Sequence, residues 1–146
     1  MGSFGWKSGE QEERQRLRAF WSAERVDRPA LRALAMPALR RWTASLDAAL
    51  YHLDGVCQLR FLDLICTLPN LRGIQWAAEP GAGSPVLWID TFRKLRERGL
   101  VLYIGASVDD ALTITKALGP EGLFFSIGDF GTVREAEAAI RAFEKR

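Results

Sequence analysis

The sequence predicts an α/β fold of parallel βαβ units, and three observations carry that expectation. Four short apolar runs, ALYHLD (49–54), RGIQWA (72–77), LVLYIGA (100–106) and LFFSI (123–127), recur at intervals of about 25 residues. A helical pattern follows each of them. The runs are continuously apolar rather than alternating, as in strands covered on both faces. Two architectures take such units: a small doubly wound sheet, or a barrel. A complete barrel needs eight units and about 250 residues, and a chain of 146 residues holds half of that.

Each element has its own local signal. Residues 1–9 are small and polar, with Gly2 and Gly5 near Trp6. From Glu10 to about Glu24 the spacing of Leu17, Phe20 and Trp21 predicts a helix, and Asp27-Arg28-Pro29 stops it because the residue before a proline leaves the α region. A second helix starts near Pro37, a residue suited to the first helical position, and runs to about Asp47, burying Leu39, Trp42 and Leu46. Strand 49–54 is closed by Gly55, and a helix over 56–68 is stopped by Pro69. Strand 72–77 leads through the loop 79–85 to a helix over 86–98, ended by Gly99. After strand 100–106, Ser107 caps a helix closed by Gly119-Pro120. Strand 123–127 precedes the last helix, which opens with the capping box Thr132-x-x-Glu135 and ends with Lys145 and Arg146 matched to its dipole.

Composition narrows the class of protein. The chain is 48% hydrophobic and 26% charged, which excludes a disordered tail and a coiled-coil rod. Lys+Arg 20 against Asp+Glu 18 leaves a net charge of +2, too small for a nucleic-acid footprint. Early arginines such as Arg14, Arg16 and Arg18 follow the acids Glu10, Glu12 and Glu13, as on a solvated helix face. Cys57 and Cys66 lie nine residues apart, a spacing of neither a metal pair nor a disulfide scaffold, and both are expected reduced and buried. No apolar run approaches a membrane span of about 20 residues, and the opening MGSFGWKSGEQEERQR lacks the apolar core of a signal peptide. The expectation is a cytoplasmic protein with no membrane partner.

The chemistry concentrates at strand ends. His52 is the only histidine, and it forms His-x-Asp with Asp54. Strand alternation places both on one face, about 7 Å apart along the chain. Gly55 follows at once, so the pair lies at the strand's C-terminal end, where parallel α/β folds bind ligands. It reads either as a metal-ligand or proton-transfer couple, or as a polar plug in the mouth of the sheet. A zinc site needs three or four protein ligands, and there is no second histidine. Gln75 and Trp76 end the second strand and are candidate ligand contacts, while Glu79 and Asp129 follow strand ends and could add a carboxylate. The Gly81-Ala82-Gly83-Ser84 loop lacks the Gly-Lys-Ser/Thr of a phosphate cradle, and Asp129-Phe130-Gly131 lacks the rest of a kinase set.

Several strings resemble one family. LDAALYHLDG (46–55), LxxLDLICTLPNL (59–71), GIQWAAEPGAG (73–83), a helix bearing Trp88 and EAEAAIRAF (135–143) are similar to the C-terminal half of the uroporphyrinogen decarboxylase-like barrel proteins. ERQRLRAFWSAERVDRP (13–29) resembles the opening of the same family, a helix ahead of the first barrel strand. The resemblance implies an internally shortened member: an N-terminal arm and leading helix (1–36), then a parallel (βα)4 half of a TIM-type barrel (37–146). It implies decarboxylation of a tetrapyrrole, which requires no cofactor, or zinc-dependent methyl transfer from a small methyl donor, in either case incomplete in one chain. The catalytic residues would be His52 and Asp54, with Gln75 and Trp76 binding substrate. Any metal would be held by His52 and by Asp54, which stands where the methyltransferases carry a cysteine. A homodimer would complete the half-barrel, and the alternative is a non-catalytic self-associating half-barrel or a gene remnant.

Overall fold

A computed structural model describes residues 27–77, 81–128 and 130–144. The helix expected over 10–24, together with Glu79 and Asp129, lies outside the described residues. The chain divides into two compact units, one of residues 1–47 and 61–70, the other of residues 48–60 and 71–146.

In the first unit the Asp27 side chain accepts a hydrogen bond from the Ala30 amide at 2.8 Å and caps α1 (Arg28–Ala30), with Pro29 in the first turn. The backbone then widens over Leu31–Ala35, where the Met36 amide reaches back five residues to the Leu31 carbonyl, before α2 (Met36–Ala44). The helical path thus begins well ahead of Pro37. Asp-Arg-Pro is a helix start, because proline needs no amide partner in a first turn. Pro37, which has no amide to give, is accommodated directly after the widened turn. The buried residues are Leu31, Ala35, Met36, Ala38 and Thr43, while Leu39 and Trp42 are half-buried and Leu46 is exposed, so the inward face differs from the one expected.

The end of α2 is closed by side chains. Asn70, in the left-handed region at φ 55, donates through Nδ2 to the Leu46 carbonyl at 2.8 Å and to the Thr43 carbonyl at 3.4 Å. These bonds reach the carbonyls at and beyond a helix end, which have no helical partner. Arg40 donates from Nη2 to Thr67 Oγ1 at 2.6 Å and from Nη1 to the Thr67 carbonyl at 3.2 Å, and so holds α2 to the turn after α3 (Leu62–Ile65).

The second unit is a four-stranded, all-parallel sheet of β1 (Ala49–Asp54), β2 (Leu71–Ala77), β3 (Val101–Gly105) and β4 (Leu123–Ser126). The strands lie side by side in chain order, β1-β2-β3-β4. The α/β class and all four strands are as the sequence predicts. Val56–Phe61 and Pro85–Trp88 are 3₁₀ turns, where continuous α-helix was expected. The later helices are α4 (Ile89–Glu97), α5 (Val108–Leu118) and α6 (Val133–Glu144). Both predicted caps form: Ser107 accepts from the Asp110 amide at 3.1 Å, and Thr132 and Glu135 bond reciprocally at 3.0 and 3.3 Å. Gly55, at φ +79, ends β1 in a conformation that favours glycine and donates to the Ala77 carbonyl at 2.8 Å.

Aromatic contacts place α4 and α6 against one face of the sheet. Trp76 of β2 meets Phe92 of α4 edge-on with centroids 5.2 Å apart, and Phe125 of β4 lies 6.5 Å from Phe143 of α6. On this face Leu53, Ile74, Trp76, Leu102 and Ile104 are buried. The opposite face carries Leu50, Val101 and Phe124 at 52%, 41% and 61% exposure. Continuously apolar strands were expected to be covered twice; in the single chain these three large apolar side chains on the second face stand in solvent. Among the described residues, no helix is long and apolar enough to cross a membrane.

Candidate functional site

The face opposite α4 and α6 carries His52, Asp54, Gln75 and Tyr103. His52 and Gln75 are register partners on the adjacent parallel strands β1 and β2. Register continues from Gln75 to Tyr103 in β3 and from Tyr103 to Phe124 in β4. Partners in register share a face, so His52, Gln75, Tyr103 and Phe124 form one row across the whole sheet. The row is polar at the β1 end and aromatic at the β4 end, where the Tyr103 and Phe124 rings meet edge-on at 5.0 Å.

His52 Nδ1 lies 3.0 Å from Gln75 Oε1, hydrogen-bonding distance. The imidazole is exposed and Gln75 is half-buried. Asp54 follows two residues on, exposed on the same face at the C-terminal end of β1, as the alternation predicts. No hydrogen bond joins its carboxylate to the imidazole among the described residues; the partner of His52 is Gln75.

Trp76 goes the other way. It is 6% exposed on the helix-covered face, stacked obliquely on Trp88 at 5.3 Å and edge-on to Phe92. Of the four candidate site residues, His52, Asp54 and Gln75 therefore share a face and Trp76 packs in the core.

Tyr51 also faces away from the row and donates its hydroxyl to Gln58 Oε1 at 3.2 Å. Burial pushes this phenol well above its ordinary range, and the negative charge of Asp54 adds to the effect, so the ring keeps its proton.

The rim at the C-terminal ends of the strands is tied together. Ser84 Oγ donates to Asp110 Oδ1 at 2.9 Å, and Ser84 also accepts from the Val86 amide at 3.1 Å. The glycine-rich loop after β2 is thereby fastened to the start of α5, a structural use for a string that looks only faintly like a phosphate cradle. Cys57 and Cys66 are both free, Cys57 exposed and Cys66 half-buried, where burial of both was expected. Among the described residues, no three His, Cys, Asp or Glu side chains converge as a metal site. His52 and Asp54 offer two donors where a zinc centre needs three or four.

Tyr103 and Phe124 were not singled out from the sequence. Their signal is the alternation within LVLYIGA and LFFSI, which is masked because the residues of both faces are apolar. No protein-family profile matches the chain, and no curated protein and no solved structure matches it.

Proposed function

We propose that the chain is a uroporphyrinogen decarboxylase-like half-barrel, whose open sheet face is one wall of a pocket for a small molecule. The observation that carries this reading is the row His52–Gln75–Tyr103–Phe124 on the face opposite α4 and α6, in a sheet of unbroken strand order. Singly wound sheets of this kind curve toward barrels, with helices outside and the inner face holding side chains. The family is the one that the YHLDG and IQW strings resemble. The inherited chemistry is decarboxylation of a tetrapyrrole or methyl transfer, with His52 handling the proton and Asp54 beside it on the same face. The Tyr103 and Phe124 rings give this wall an apolar end for the carbon skeleton of such a substrate. In the methyl-transfer form His52 and Asp54 would supply two zinc donors, and the remaining ligands would have to come from elsewhere.

The second wall comes from a second copy. β1 and β4 each leave one edge unpaired within the sheet, and an exposed edge with an apolar face is an association surface. A two-fold axis along the strands would set β4 of one copy beside β1 of the other, parallel to it, and make eight strands. Light scattering on size-exclusion fractions should return twice the chain mass of 16.3 kDa; a stable monomer at high concentration would overturn the shared pocket.

Three exposed apolar side chains also support a second reading, in which the same assembly is non-catalytic. Porphyrinogen decarboxylation and methyl-transfer assays on the dimer separate the two. Turnover lost in His52→Ala with the dimer intact supports an enzyme, whereas no turnover in either protein leaves the assembly alone.

A further inference from the structure

The His52–Gln75 pair fixes more than a position. An amide oxygen carries no proton and can only accept a hydrogen bond. Gln75 Oε1 faces His52 Nδ1 at 3.0 Å, so in the neutral ring Nδ1 bears the hydrogen and Nε2 keeps the lone pair. A free histidine side chain prefers the opposite arrangement, with the proton on Nε2. The geometry comes from the ladder itself, since the two residues are in register on adjacent strands and no loop must close to bring them together. Gln75 is half-buried while the imidazole is exposed, so the amide is the better-held partner.

We infer that Gln75 is a positioning residue, which holds the neutral His52 ring in the Nδ1–H tautomer and turns a bare Nε2 toward the open face. Nε2 is then an acceptor, and the ligand group it takes is one that donates a hydrogen bond or a proton, such as a carboxylic acid or a ring N–H. A positioning role differs from the direct substrate contact the sequence suggests for Gln75. It deepens the proposed site but does not depend on turnover or on the dimer, because the tautomer is a property of the resting protein.

His52 is the only histidine, so ring ¹⁵N labelling gives a single imidazole spectrum in which the two nitrogens are told apart by their shifts and couplings. At a pH where the ring is neutral, the wild-type protein should show Nδ1–H as the major tautomer. Gln75→Leu removes the acceptor and should move the ratio toward Nε2–H by roughly five- to tenfold, the weight of one ordinary hydrogen bond. Gln75→Glu keeps an acceptor oxygen and should keep Nδ1–H dominant. A wild-type spectrum dominated by Nε2–H would overturn the inference, as would a ratio unchanged in Gln75→Leu. Should that variant not fold, the wild-type and Gln75→Glu spectra still decide the matter. Failure of the decarboxylation and methyl-transfer assays would leave these spectra untouched, so the two readings fail separately.

Discussion

Gly73 is where β1 and β3 crowd a single residue of β2. A Cβ there would come within 2.8 Å of the Val101 carbonyl oxygen and 2.8 Å of Leu50 Cδ1. The leucine end can swing away, but the carbonyl belongs to the ladder and cannot. Gly73→Ala should therefore lower stability by about 1–3 kcal/mol, the usual cost of overpacking, read as a shifted urea midpoint at constant slope. Tyr51 gives a pH signature. Its folded-state pKa is raised, so the unfolded chain loses the phenolic proton first, at the ordinary 10.0. The stabilisation is whole below that pH and falls as pH rises through it, by up to about 1.4 kcal/mol per pH unit. Urea titrations from pH 9 upward should show this alkaline loss in the wild type and its absence in Tyr51→Phe. At this scale the sequence was partly readable. His52 and Asp54 share a face because alternation along one strand is local information. The partnership of His52 with Gln75 depends on cross-strand register over 23 residues, which no local pattern encodes.

Helix starts were the clearest element-level signals. Ser107 and the Thr132/Glu135 box cap as their spacing dictates, because a cap involves residues only three apart. Ser107→Ala should cost about 1 kcal/mol and be visible as a lowered thermal midpoint. The helix around Pro37 was misplaced for an instructive reason. Proline favours a first turn, yet here the true start is Asp27-Arg28-Pro29, and the wide turn Leu31–Ala35 brings the path into Met36–Ala44. Two prolines eight residues apart each suit a helix start. The one preceded by a capping aspartate prevails.

Over the whole molecule, strand count and strand type could be read from the apolar runs, but coverage could not. A valine or phenylalanine in a strand looks the same whether a helix or solvent lies above it. The exposed trio Leu50, Val101 and Phe124 makes the proposed association testable. Phe124→Glu places a charge on the aromatic end of the row and should shift the light-scattering mass from two chains toward one, with circular dichroism unchanged. A dimer as tight as wild type in this variant would place the interface elsewhere.

Because spatial order equals chain order, β1-β2-β3-β4, every strand after the first docks on a neighbour already made. Such a sheet can be laid down from one end during synthesis, with no gap left to be filled by a late segment. Damage should then be graded: removal of residues after Gly119 deletes an outermost strand and its helix, and leaves the ladder between β1, β2 and β3 with all its rungs.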